Sequence, residues 1–238
     1  MYYNDYMAYP YHEDSNSDEE LLEIARQEGE QTRITETVRA LANEIDPDNK
    51  LHGEELVREV CSYVTSMLPE FTYLESLYEK NPDLEQDKRA RTADELLSTS
   101  NLLPNRLRTR NISGCIETAH ITRALLLAKG IPCVYTETLE ENWCQNEAAD
   151  FDPEAKDTNF MRGHVFIDAF IEEEGKWITV DPNEKGNTIR EYGDYRKNGN
   201  KYIYPRSAKD SWDLGYKTNK DFQEAVVKYF KGQKESEN

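Results

Sequence analysis

The chain has 238 residues, of which 37% are hydrophobic and 11% aromatic, enough for one large domain or a core domain with a smaller companion. Charged residues make up 32% and the net charge is −18, which argues against nucleic-acid binding, since that needs clustered Lys and Arg, and disfavours anionic membranes. No apolar run approaches the ~18 residues that cross a bilayer, and no basic segment precedes an apolar one at the N-terminus, so a soluble cytoplasmic protein is expected.

Residues 1–17 are polar and acidic, with Tyr2, Tyr3, Tyr6, Tyr9 and Tyr11 interleaved and no helical or strand period, so a disordered tail is expected. A mainly helical region follows over 18–100. Leu21, Leu22, Ile24 and Ala25 form one apolar patch; Ile34, Val38, Leu41 and Ile45 repeat at four-three-four spacing, with Gly29 between the two groups. Asp46-Pro47-Asp48-Asn49 reads as a turn. Leu56, Val57, Val60, Cys61, Val64 and Leu68 share a face of a helix near 53–68, and shorter helices are expected over 71–79 and 92–99.

The character changes beyond Pro104, and 101–238 is taken as the core. Residues 105–111 form a basic loop; Ser113 and Gly114 then open a helix from Cys115 to about Lys129, which Gly130 is suited to end. Residues 131–136 read as a strand and 140–161 as a polar surface loop. A hairpin follows: His164, Phe166, Asp168 and Phe170 lie on one face of its first strand, Val165, Ile167, Ala169 and Ile171 on the other. Its second strand, 177–180, stops at Asp181-Pro182 because proline cannot continue the ladder. After an Asn-, Gly- and Tyr-rich stretch, Phe222, Val226, Tyr229 and Phe230 mark a final amphipathic helix near 219–231.

Four cysteines without C-x-x-C spacing suggest free thiols, and four scattered histidines lack the paired spacing of a metal site, so neither a metal nor a cofactor is expected. Cys115 differs from the others in position. At the first turn of a helix, unpaired N–H groups and the positive end of the dipole favour a thiolate and can stabilise an oxyanion. Cys61 and Cys133 fall within a helix face and a strand, where a cysteine serves as a small apolar residue, and Cys144 lies in the polar loop. His164 heads a strand and can serve as base; Asp181 ends the neighbouring strand and can orient an imidazole. Antiparallel counting about the turn near 174 leaves positions 164 and 181 several residues from opposition, so spacing alone does not bring them together.

Taken together, Gly-Cys-Ile-Glu-Thr-Ala (114–119) with Ala-Leu-Leu-Leu-Ala-Lys-Gly-Ile-Pro (124–132), Gly-His-Val-Phe-Ile-Asp-Ala-Phe (163–170) and Trp-Ile-Thr-Val-Asp-Pro (177–182) resemble the nucleophile helix, histidine strand and aspartate strand of the transglutaminase-like superfamily. The intervals of 49 residues from Cys115 to His164 and 17 from His164 to Asp181 suit that family, over roughly residues 92–185. The resemblance implies an α+β, papain-like core with the nucleophile helix packed on an antiparallel sheet. It also implies Cys115 as nucleophile, His164 as general base and acid, and Asp181 as the group that fixes the imidazole. Three positions depart from the common pattern: Ser113 stands where many members have glycine, Phe166 replaces a frequent Trp, and Asp168 replaces Glu. These changes touch subfamily and substrate rather than the three reacting groups. An upstream polar donor would complete an oxyanion hole, with Asn105 and Asn111 as candidates, and Tyr192, Tyr195, Tyr202 and Tyr204 are candidates to line a groove or to pack.

The implied reaction is thiol-dependent acyl transfer or hydrolysis of peptide or amide bonds in a peptide or protein substrate, through a thioester. The alternatives are a protein-crosslinking transglutaminase and a non-catalytic interaction module on the same fold. The region 18–100 could cap the cleft, bind a partner or simply pack on the core.

Overall fold

The structure, a computed structural model, describes residues 18–67, 89–98, 114–152, 162–184, 186 and 188–236. The readings for 1–17, for a helix over 71–79, and for Asn105 and Asn111 in the basic loop lie outside the described residues.

The N-terminal part contributes four helices: α1 (Asp18–Ala25), α2 (Glu36–Ile45), α3 (Gly53–Met67) and α4 (Ala93–Ser98). Helix α2 starts where Thr35 Oγ1 accepts the N–H of Val38, and Val38 and Ala42 form its buried stripe. Between α1 and α2 the chain wraps Asp210, whose carboxylate accepts the N–H of Gln31 at 2.8 Å. A Cβ at Gly29 would collide with that carboxylate, so this glycine is required by close approach rather than by its dihedral angles.

Helix α5 (Cys115–Ala128) is buried on nearly every side from Ile116 to Leu126, its polar residues Glu117, Thr118, His120, Thr122 and Arg123 included. It ends in a Schellman motif: Gly130, at φ +80°, donates to Leu127 O at 2.9 Å and Ile131 to Leu126 O at 2.9 Å. The chain then enters a six-stranded sheet made of β1 (Cys133–Glu140), β2 (Gly163–Ile171), β3 (Lys176–Val180), β4 (Ile189–Glu191), β5 (Arg196–Lys197) and β6 (Asn200–Ala208). The spatial order is β4-β3-β2-β1-β6-β5, and every neighbouring pair is antiparallel. The molecule is therefore α+β. One sheet face, carrying Tyr135, Val165, Ile167, Ala169, Ile178 and Val180, shares a core with Ile121, Ala124 and Leu125 of α5 and with apolar residues of α2, α3 and α4. On the opposite face Leu21 and Ala25 of α1 cover Val134.

Several segments depart from the sequence reading: β1 runs on to Glu140, and β4 and β5 lie in the stretch read only as rich in Asn, Gly and Tyr. Residues 141–152, expected as surface loop, form helix α6 (Glu141–Asn146) and a short 3-10 turn (Ala148–Asp150), and Trp143 is fully buried. Trp143, Ala148 and Phe151 pack with Val226 and Val227 of the last helix, α7 (Asn219–Ser236). The apolar residues here are too sparse to show a period, and their partners lie more than seventy positions away. Strand β6 was likewise not read as a strand. Its ladder with β1 shifts register between Glu137 and Leu139, where Tyr204 takes φ +56° and Pro205 sits without an N–H to offer. That bulge breaks the alternation by which a strand is recognised.

Candidate active site

Cys115 is the first residue of α5, after Gly114 in extended conformation. The first intrahelical bond runs from Thr118 N–H to Gly114 O at 3.1 Å, so the amides of Cys115, Ile116 and Glu117 precede it and point out of the helix end. Helix α5 anchors this end through buried Glu117, ion-paired to Arg91. Arg123, further along, binds Cys133 O, Thr32 Oγ1 and Gln27 O. Rigid packing of the helix therefore fixes where the half-buried thiol sits.

His164 lies near the start of β2, paired with Thr138 of β1, and Thr138 Oγ1 holds its carbonyl at 2.8 Å. The β2–β3 ladder ends at the Ile167–Val180 pair. Pro182 cannot extend it, and Asp181 N–H turns away to Thr188 O at 2.8 Å. The Asp181 side chain thereby meets the imidazole diagonally: Asp181 Oδ2 lies 2.9 Å from His164 Nε2. The other oxygen, Oδ1, accepts Asn183 N–H at 3.0 Å, and the buried Arg190 guanidinium approaches Oδ2 at 3.6 Å. With Nε2 turned to Asp181, Nδ1 is left for the Cys115 thiol, which is hydrogen-bonded to the imidazole. The structure thus brings Cys115, His164 and Asp181 into one line of contacts.

Their protonation follows from that geometry. Burial pushes the Cys115 thiol up, but the hydrogen bond and charge of His164, the charge of Lys197 and the Val165 N–H outweigh it, and the thiol lies below its ordinary value. Burial pulls the His164 imidazole down, while the hydrogen bonds of Asp181 and Cys115 more than reverse this and leave it raised. Asp181 is also pushed up by burial, but His164, Lys197 and the Asn183 N–H hold it below the usual carboxylate range. Both shifts move the pair toward thiolate and imidazolium. The other cysteines contrast with this: burial drives Cys61, Cys133 and Cys144 each up to about 12.

The ring of His164 is boxed by aromatics. Phe166 stands edge-on at 4.4 Å and Tyr202 lies tilted at 5.4 Å. Behind them Asp168 is fully buried and accepts from Thr136 Oγ1 at 2.7 Å, Thr179 Oγ1 at 2.6 Å and Tyr195 OH at 2.9 Å. Of the four tyrosines named from sequence, Tyr202 therefore borders the imidazole and Tyr195 braces the floor beneath it. Tyr204 packs against Tyr229 and Phe230, and Tyr192 lies tilted against Trp177.

Sequence reasoning missed two cations here. Arg190, on β4, covers the Phe166 ring at 5.0 Å as it reaches Asp181. Lys197, at the tip of β5, brings Nζ to 3.3 Å from His164 Nε2. Asn198 and Gly199, at φ +50° and +82°, close the two-residue β5–β6 hairpin, and that Asn-Gly pair was the readable signal that Lys197 ends a strand. Nothing local marks Arg190. Among the described residues, no cluster of His, Cys, Asp or Glu could hold a metal ion, and no helix is long and apolar enough to cross a membrane.

No protein-family description matches the chain, and no curated protein is similar to it. A solved structure from Cytophaga hutchinsonii, described as a "putative cysteine protease", is similar at 14% identity with a TM-score of 0.44; the match covers 84% of this chain and 50% of that one. The present chain thus spans half the length of that protein, and the architecture above rests on its own strand order and packing.

Proposed function

We propose that the chain is a cysteine hydrolase of transglutaminase-like, papain-like type that cleaves peptide or amide bonds in a peptide or protein substrate. The observation that carries this reading is the line Cys115–His164–Asp181, with a depressed thiol at a helix N-terminus and an imidazole fixed by a buried carboxylate. In this mechanism the Cys115 thiolate attacks the carbonyl carbon, and the amides at the start of α5 face the developing oxyanion. The C–N bond breaks as the His164 imidazolium gives its proton to the leaving amine. Water then attacks the thioester, giving a proton back to His164, and the C–S bond breaks. Asp181 keeps the imidazole in the tautomer that presents Nδ1 to sulfur throughout.

The test is the rate of Cys115 alkylation by iodoacetamide from pH 4 to 10, with mass spectrometry assigning each labelled cysteine. An ordinary thiol titrates near pH ~8.5, so the expected result is a fast reaction of Cys115 alone at neutral or lower pH. His164→Ala should move that profile toward the ordinary value. Inert or unperturbed Cys115 in the parent would sink the reading and leave an interaction module on this fold.

A further inference from the structure

We propose that Lys197, on the Nε2 side of the His164 ring, forms a carboxylate-binding subsite of the site, so that it prefers acyl donors carrying a carboxylate near the reacting carbonyl. This rests on the hydrolase reading above and names its substrate class. The ammonium lies 3.3 Å from His164 Nε2, yet that nitrogen already faces Asp181 Oδ2 at 2.9 Å. A lysine ammonium is a donor only, and an Nε2 that donates its proton to Asp181 has no lone pair to offer it. The contact with the ring is therefore a placement rather than a hydrogen bond. Among the described residues, no carboxylate lies within ion-pair distance of Lys197 Nζ, although the protein carries 47 acidic side chains.

The placement is built. Tyr195, two positions earlier, is anchored through its hydroxyl to buried Asp168, and its carbonyl accepts the Tyr202 N–H at 2.9 Å. The hairpin tip is tied by Asn198 N–H to Glu184, whose carboxylate also holds Arg190. Lys197 is half-buried, so its charge is only partly screened. Asp181 and the thiolate balance it in the free protein, and a substrate carboxylate adds a direct partner when acyl groups bind.

The experiment uses the full chain and two alkylating probes of the same size, neutral iodoacetamide and anionic iodoacetate. The readout is the ratio of their rate constants at Cys115, iodoacetate over iodoacetamide, on the pH plateau. Any change in thiolate fraction affects both probes alike and cancels in the ratio. In Lys197→Met the ratio should fall about fivefold, the scale of one partly exposed ion pair, and Lys197→Arg should keep the parent value. Raising salt should lower the ratio in the parent and much less in Lys197→Met. An unchanged ratio in Lys197→Met, with Cys115 still fast toward iodoacetamide, overturns the subsite and leaves the hydrolase reading standing. A parent Cys115 slow toward both probes overturns both.

Discussion

At the scale of single residues, one buried imidazole among the described residues stands apart. His120, on α5, is fully buried and stacks on Tyr135 at 5.3 Å, but neither ring nitrogen has a hydrogen-bond partner. Burial first, and then the charges of Arg89 and Arg123, depress its pKa to about 3. Between that value and the ordinary one near 6.5 the unfolded chain binds a proton that the folded chain refuses. Stability must therefore fall as pH drops through this window, by up to ~1.4 kcal/mol per pH unit from this residue alone. His120→Phe keeps the stacking and removes the proton. Urea midpoints measured from pH 7 to 4 should decline more shallowly in that variant than in the parent, and parallel declines would mean that other groups set the acid limit. His164 works in the opposite sense: with its value raised, its contribution is full below pH ~6.5 and is lost as pH rises through the folded value.

At the scale of elements, the segment before α4, strand β1 and helix α7 meet at one buried ion pair. Arg89 binds Glu137 through both guanidinium ends, donates Nε–H to Asn219 Oδ1 at 3.1 Å and lies over the Phe222 ring at 4.4 Å. Its backbone carbonyl accepts from Trp212 Nε1 at 2.6 Å and from Gln31 Nε2 at 2.7 Å, so one residue joins four stretches of chain. Both side chains are almost wholly enclosed. Removing one partner strands a buried charge, so Arg89→Met should cost about 3–5 kcal/mol in urea unfolding. Replacing both, Arg89→Met with Glu137→Leu, should recover most of that loss, because the pair's attraction largely repays its own desolvation. A double variant as unstable as the single one would show that Glu137 has a further role. The exposed pairs, such as Arg26–Glu172, carry little by comparison.

At the scale of the whole molecule, the net charge of −18 and a pI near 4.7 impose self-repulsion at neutral pH. Raising salt from 10 mM to 0.1 M shortens the screening length from about 30 Å to 10 Å. The melting temperature should rise over that range by ~2–4 °C, the shift that about 1 kcal/mol gives a domain of this size. A fall on thermal scanning would mean that attractive surface pairs outweigh the repulsion. The same field disfavours anionic ligands away from the site, which is the setting in which a local cation such as Lys197 confers selectivity.

The chain's order of events was readable where the governing interactions are local. The apolar period gave α2 and α3, the apolar stretch 124–128 between Ser113-Gly114 and Gly130 gave α5 and its end, and alternation gave the β2–β3 hairpin and the faces of His164 and Val165. Family resemblance named Cys115, His164 and Asp181, but residue counting left His164 and Asp181 apart. Their contact depends on the ladder stopping at Val180, so that Asp181 can lean diagonally toward the ring. Strand β6, helix α6, the bridge of Arg190 to Asp181, the position of Lys197 and the isolation of His120 belong to the tertiary structure alone. Each is decided by a partner far away in sequence, and burial selects such partners by shape and charge in three dimensions. Propensity and periodicity act over a few residues, so sequence by itself determined which groups could react, and packing decided which of them meet.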